Sequence, residues 1–536
     1  MSQQYQADAG ARDEAVEIEE LKDQIIQEIK AKVKCADEDS DPKAYILPVD
    51  VKAAWSQWRI ARVLWLDPRE DGHYLDIIYE RMTTFLTILI RIDADRCLQR
   101  SKPRFVDLFF EGTTPRIQDG MLPLEPGAIN FLSTVRKKEA FVDMQYRFCP
   151  WKIQIVSDHD YIVQIDSKYR LPFEKQPQAM PIGEGAFGEV SIVPISPGYL
   201  IKSNNQPKSD TIVAVKKIAI QQSFEKEARN LKILTKSLAR HENILQHYAV
   251  ITHGTNSYVV MPYARLGDLW QFMHNGKSPY NEPMYNFTDN FPRIIPGDVA
   301  VPLIRQLRNL SNALQWLHHS LVVPEEGNFS CCHMDLKPDN ILIDEHSSSP
   351  VGVWKISDFG LSVMNETSRV GTVRDYISQA SVNTRPGRIE GTYTAPEVEI
   401  GHNRKEKIAG SRGDVWSFAC IIAEVLAFAL GQEEEVEEFF EQRRSDSPQK
   451  DNDYFYTKKS NKELKPNQTR SVEDYQIRSA VTTWLDAVPV KYPTPQNWAG
   501  CWAETVKTVL DVDSATRPSA LELVRLPRAK SHMLTT

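Results

Sequence analysis

The eight residues HMDLKPDN, 333–340, decide how the rest of this 536-residue chain is read. Asp335 is a carboxylate placed to accept a proton from an attacking hydroxyl. Lys337, two residues on, brings a cation that can neutralise charge on a migrating phosphoryl group. Asn340 adds an amide oxygen, a hard donor of the kind magnesium takes alongside substrate phosphates. The apolar run Ile341–Ile343 then reads as a strand, the rigid support that such a loop requires. Only Met334 does not fit this set, and its meaning depends on what surrounds the stretch.

Working outward, DFG follows at 358–360, and Asp358 supplies a second oxygen ligand from a separate loop. Upstream lies IGEGAFGEV, 182–190, in which Gly183, Gly185 and Gly188 form a G-x-G-x-x-G spacing followed by Val190. Glycines let backbone amides approach phosphates without Cβ interference. Alone the motif is weak, and an ordinary glycine-rich turn reads the same way. In dinucleotide-binding folds it opens a helix. Here a strand, Thr211–Lys217, follows, so the reading is a hairpin lid. That strand carries AVKK, whose Lys216 can reach phosphates if a carboxylate fixes it. Glu227, in the helix expected over SFEKEARNLKIL, is the expected partner, because Glu225 would point elsewhere on a helix. Each of these charges, taken singly, reads equally well as a solvated surface group.

Such elements in one order make a pattern that single motifs do not. APE stands at 395–397, DVWSF at 414–418, and Arg517 lies in SATRPS. Residues 172–530 resemble a eukaryotic protein kinase of the serine/threonine type. The resemblance implies an α+β, bilobal fold, with a β-rich N-lobe over 172–264 and a helical C-lobe over 265–530. It implies ATP and Mg2+ as cofactors and a protein substrate. Lys216 and Glu227 would form the activating ion pair. Asp335 would be the catalytic base with Lys337 beside it, and Asn340 and Asp358 would be magnesium ligands. Asp414 would brace the catalytic loop, and Arg517 would pair with Glu397. Ile182, Val190 and Ala214 would enclose the adenine, with Met261 as gatekeeper. Pro262 and Ala264 would offer hinge backbone, where proline lacks an N–H but keeps its carbonyl. Asp268 would contact the ribose. DLKPDN and GTYTAPE, with Lys337 and Thr392, point to serine and threonine hydroxyls.

Within that family Met334 stands where an arginine is usual. The arginine binds a phosphate on the activation segment through charge-assisted hydrogen bonds, which methionine cannot make. The chemistry itself needs positioning and charge stabilisation, and every group for it is present. The expectation is an active kinase whose main switch is not phosphorylation within 361–391. Thr367, Ser368, Thr372, Ser378, Ser381 and Thr384 are nonetheless available there. The alternative is a pseudokinase that binds ATP or a partner without transfer.

The remaining sequence constrains less. A net charge of −8 argues against nucleic acid as the main partner. The acidic start shows no secretory pattern, and Phe85–Ile92 is far too short to span a membrane, so the reading is intracellular, cytoplasmic or nuclear. Seven cysteines without a C-x-x-C pair make neither a disulfide framework nor a zinc site, and Cys331–Cys332 reads as structural. Residues 1–171 read as an accessory, possible-docking region: an amphipathic helix over 12–34, a helix carrying Trp55 and Trp58, another from Tyr74 to about Asp93, then strand-like FVDLFF, QYRFCPWKIQIV and DYIVQI. This extension is similar to those ahead of some filamentous-fungal kinases of unassigned role. Two interruptions, 274–298 and the charged 431–475, read as insertions, the second solvated.

Overall fold

Strand Ile212–Ile218 shows how the first lobe is built. Side chains alternate faces along a strand, so Val213 and Val215 point one way and Ala214, Lys216 and Ile218 the other. The strand lies between Gly188–Pro194 and Asn256–Pro262, both antiparallel to it. The six-stranded order is completed by Gly183–Gly185 at one edge and by Ala249–His253 and Ile162–Ile165 at the other. The computed structural model describes residues 2–34, 44–155, 162–174, 183–185, 188–202, 204, 206–209, 211–238, 240–274, 287–294, 299–367, 383–384, 391–404, 408–447, 452–458 and 471–523. Ile182 and the hydroxyl residues Ser368, Thr372, Ser378 and Ser381 lie outside them.

The edge strand Ile162–Ile165 pairs in parallel with Ala249–His253, and Ile153–Gln154 pairs in parallel with Leu200–Ile201. Both come from ahead of residue 172, so the sheet draws on sequence upstream of the expected lobe boundary. The physical reason is the sheet's outer face. Val213, Val215, Ala249, Ile251, Tyr258 and Val260 are apolar there and buried in one cluster with Ile153, Ile165, Leu171 and Phe173. Residues 151–155 and 162–173 thus cover a face that would otherwise meet water, at about 25 cal/mol per Å² of apolar surface. The opposite parity, Val250, Val259 and Ile218, joins the core shared with helix Gln221–Lys236 and the second lobe.

The rest of the N-terminal region has its own core. In helix Ser2–Lys30, Ile18, Leu21, Ile25 and Ile29 are buried at helical spacing, while Val16 is exposed. Trp55 lies between helices Pro48–Ala53 and Gln57–Leu64, not within one, and its indole N–H donates to Thr87 Oγ1 at 2.9 Å. The helix expected from Tyr74 is broken at Met82 into Gly72–Arg81 and Thr83–Arg91. FVDLFF is a short helix, Phe105–Phe109, running into strand Phe110–Glu111, because the Asp107 carboxylate caps it from the Arg104 N–H at 2.7 Å. Lys34 joins this region to the sheet through Glu174 at 2.6 Å, and Tyr45 through Ser196 at 2.7 Å.

The second lobe is helical. Helix Ala300–His319 buries Leu303, Leu307, Leu310, Leu314 and Leu317 as one stripe. Helix Gly410–Ser445 follows, kinked at Gly431 and Gln432. It is long and apolar enough to cross a membrane, but its apolar window is 89% buried as the core of this lobe. Beyond the kink, 433–445 corrects the solvated reading of the charged run. Val436, Phe439 and Arg443 recur at helical spacing, and all three are buried. Phe455, Tyr456 and Tyr475 are buried with them. In the other interruption, Phe287 and Phe291 pack on Phe272.

Candidate active site

The cleft between the lobes begins with Lys216, which shares its strand face with Ala214. Its Nζ lies 3.0 Å from each carboxylate oxygen of Glu227 and 2.8 Å from Asp358 Oδ1. Lys216 and Glu227 are buried, whereas 42% of the Asp358 side chain remains open to the cleft. Burial alone would lower the Lys216 pKa, but the Asp358 and Glu227 charges outweigh it and hold the ammonium above its ordinary value. Burial raises the Glu227 carboxyl despite Lys216. Burial acts the same way on Asp358, where the Lys216 charge and hydrogen bond prevail and depress it. Glu225 is elsewhere, accepting from Gln221 at 3.1 Å.

One turn after Glu227, Asn230 donates to the carbonyls of Phe359 at 3.0 Å and Ser362 at 2.9 Å. It ties the helix to the DFG segment, and its i+3 position from Glu227 was the available sequence signal. Gly360 closes this corner. A Cβ there would lie 3.0 Å from Glu227 Oε2 and 3.2 Å from Asp358 Oδ1.

Asp414 organises the HMDLKPDN loop from helix Gly410–Ser445. Its carboxylate accepts from the backbone N–H of His333 at 2.7 Å and of Met334 at 2.8 Å. His318 Nε2 lies 2.9 Å from it. These bonds hold Met334 at φ +67°, a left-handed conformation that few non-glycine residues adopt. Asp358 has φ +58°. His333 in turn faces the Ser357 carbonyl at 2.8 Å and the Phe359 ring. His318, Cys332 and Asp414 cluster closely enough for a metal, but the Asp414 oxygens already serve these donors, and burial drives the Cys332 thiol well above its usual value.

Asn340 donates its amide nitrogen to the Asp335 carbonyl at 2.7 Å and carboxylate at 3.2 Å, which leaves its amide oxygen as the acceptor. Lys337 Nζ stands 3.7 Å from the same carboxylate. On the sheet side, Met261 is opposite Ala214 and Val190 opposite Lys216. Ala264 is buried just past strand end Pro262. Asp268 caps helix Leu269–Met273, accepting from Gln271 N–H at 2.8 Å. Strands Gly183–Gly185 and Gly188–Pro194 form the expected hairpin. Gly188 has φ +151°, and a Cβ there would lie 2.4 Å from the Lys217 carbonyl, so only glycine fits.

The protein kinase domain family model matches residues 178–527, more than half of the chain. The chain belongs to the protein kinase family. The donor set suits what this family binds. A cleft-facing carboxylate, an amide oxygen and a lysine held between two acids fit magnesium and phosphates.

Other features complete the kinase. Arg517 forms a bidentate pair with Glu397, at 2.7 and 3.1 Å, and also donates to the Asp511 and Arg412 carbonyls. Thr392 borders the same cleft as Asp335 and Lys337, but its hydroxyl donates to Asp453 at 2.7 Å. The sequence did not single out Asp453, which lies in the charged run. Cys331 and Cys332 are fully buried, and burial raises both thiols far above their usual range, so neither is a reactive thiolate.

Proposed function

We propose that this kinase transfers the γ-phosphoryl group of Mg-ATP to serine and threonine hydroxyls of proteins. The observation that carries the reading is Lys216 held between Glu227 and Asp358, with the Asn340–Asp335 pair tied to the residue before Asp358 by Ser357 Oγ donating to the Asn340 carbonyl at 3.0 Å. Bound Mg-ATP supplies the transferable group and the metal charge that stabilises it. Asn340 and Asp358 provide oxygen donors for that metal, and Lys216 holds the phosphates. Gly183, Gly185 and Gly188 let the lid's backbone approach them. Val190, Ala214 and Met261 enclose the adenine, the Pro262 and Ala264 backbone meets its polar edge, and Asp268 meets the ribose. Asp335 orients the substrate hydroxyl and accepts its proton, while Lys337 balances the charge that develops beside it.

Serine and threonine are favoured by the DLKPDN motif and by the place of Lys337 and Thr392 on one cleft. Met334 supports control other than phosphate reading, since a thioether makes no charge-assisted hydrogen bond to a phosphate, and its Sδ lies close to Gly410. Residues 1–171 are then the candidate docking or regulatory region, to be tested by what co-purifies with the full chain.

The deciding experiment incubates wild type and Asp335→Asn with radiolabelled ATP and a protein acceptor, followed by phosphoamino-acid analysis. Label on serine or threonine that falls at least a hundredfold in the variant is expected. Equal label in both would refute the kinase reading, label on tyrosine would refute the specificity, and nucleotide binding without label would favour the pseudokinase.

A further inference from the structure

The charged run after the kink, expected to be solvated, reaches the cleft through a chain of polar contacts. Arg443 is its hub. It is buried, stacked on Phe439 at 4.3 Å and Phe455 at 4.4 Å, and it donates to Glu424 Oε1 at 2.8 Å. Its Nε donates to the Asp453 carbonyl at 3.1 Å, and the Asp453 carboxylate lies 3.8 Å from its guanidinium. Each of these two acids then holds one residue of the GTYTAPE segment. Glu424 Oε2 accepts from the Tyr393 hydroxyl at 2.8 Å, and Asp453 Oδ1 accepts from the Thr392 hydroxyl at 2.7 Å. The Tyr393 carbonyl is held by Ser417 Oγ at 2.7 Å. Thr392 and Tyr393 line the cleft that also contains Asp335 and Lys337.

One arginine therefore compensates two carboxylates, and those carboxylates fix two adjacent cleft residues. Hydrogen bonds to charged acceptors are the stronger class. Glu424 belongs to the buried helix and is fixed by it. Asp453 does not, since it comes from the insertion and reaches Thr392 only because Arg443 and Arg478 anchor its backbone. Arg478 does so by donating to the Asn452 carbonyl at 3.0 Å.

We propose that Asp453 is a positioning residue for the phosphoacceptor, acting through Thr392, so that this residue of the insertion shapes the protein-substrate side of the cleft. The inference rests on the kinase reading above. It separates the two substrates, because the polar contacts of Asp453 among the described residues are to Thr392 and Arg443, neither of them assigned to ATP.

The test uses the full chain as wild type, Asp453→Ala, Asp453→Asn and Thr392→Val, with a degenerate serine/threonine peptide library as acceptor. Asp453→Ala should raise the KM for the library about tenfold and leave the KM for ATP unchanged. Asp453→Asn retains an acceptor oxygen and should recover most of the loss. Thr392→Val should match Asp453→Ala, and the double variant should be no worse than either, as one shared contact demands. Amide exchange over 391–398 should quicken in Asp453→Ala but not in Asp453→Asn. An unchanged library KM, or both KM values rising together, would overturn the proposal. A wild type that labels nothing refutes the kinase reading, and unaltered exchange over 391–398 refutes the clamp whether or not the chain is active.

Discussion

Replacing Lys216 by methionine should destabilise the fold, and the cost should depend on pH. In the native cleft one ammonium serves three carboxylate oxygens, at 2.8 to 3.0 Å. Without it, Glu227 stays buried beside Asp358 with its charge uncompensated. Removing one partner of a buried pair costs about 3–5 kcal/mol. The lower end applies here, because Asp358 keeps 42% of its side chain exposed and stays solvated. Burial already raises the Glu227 carboxyl, and losing Lys216 raises it further. The native variant then binds a proton at a pH where the unfolded chain does not, so its stability falls as pH rises. Relative to wild type, Lys216→Met should lose about 3 kcal/mol at pH 7.5, a Tm drop of roughly 3 °C for a chain of this size. Less than half of that loss should remain at pH 5.5. Lys216→Met combined with Glu227→Gln should recover about half the loss at pH 7.5, because an amide has no charge to desolvate. Thermal melts at the two pH values measure all of this. A cost below about 1 kcal/mol, or one equal at both pH values, would refute a buried, charge-compensating lysine.

Two other outcomes are expected. Burial and the Arg240 charge push His247 down to about 4, against an unfolded value of about 6.5. Its stabilising effect is full above that unfolded value and is lost as pH falls toward the native one, about 2 kcal/mol at about pH 5. His247→Gln should flatten this part of the stability profile in melts between pH 7 and pH 5, and an unchanged slope would show that His247 does not set it. Alanine at Thr367, Ser368, Thr372, Ser378, Ser381 and Thr384 together should leave specific activity within about threefold of wild type. A loss restored by glutamate replacements would show that phosphate on this segment is the main switch after all.

Most of the cleft was legible because phosphoryl transfer needs particular groups at short, fixed chain spacings. Lys216 with Glu227, Asp335 with Asn340, and Asp358 with Gly360 each sit within one motif or one strand-to-helix step, and the structure brings them together. Asp414 and Arg517 were legible for a different reason, since their partners His333, Met334 and Glu397 follow from the family resemblance and not from local spacing. Charge content misled where composition replaced periodicity. The run 431–475 looked solvated, yet Val436, Phe439 and Arg443 at i, i+3 and i+7 form a buried stripe. The Tyr74–Asp93 stretch had helical composition throughout, but composition does not register a break such as the one at Met82.

The amino-acid sequence by itself determined which residue types stand at the motif positions: Lys216, Glu227, Asp335, Asn340 and Asp358, with a methionine at Met334. Those properties reside in residue type and near-neighbour spacing. Only the tertiary structure decided what the rest of the chain does for that chemistry. Ile162–Ile165 joins the kinase sheet in parallel, and Ile153, Ile165, Leu171 and Phe173 cover its outer face, because Val213, Val215 and Val260 leave an apolar surface there. Asp453 reaches Thr392, 61 residues away, where the buried Arg443 donates both to Glu424 and to the Asp453 carbonyl. Both are pairings between distant segments, chosen by burial and charge compensation. No local pattern in either partner announces the other.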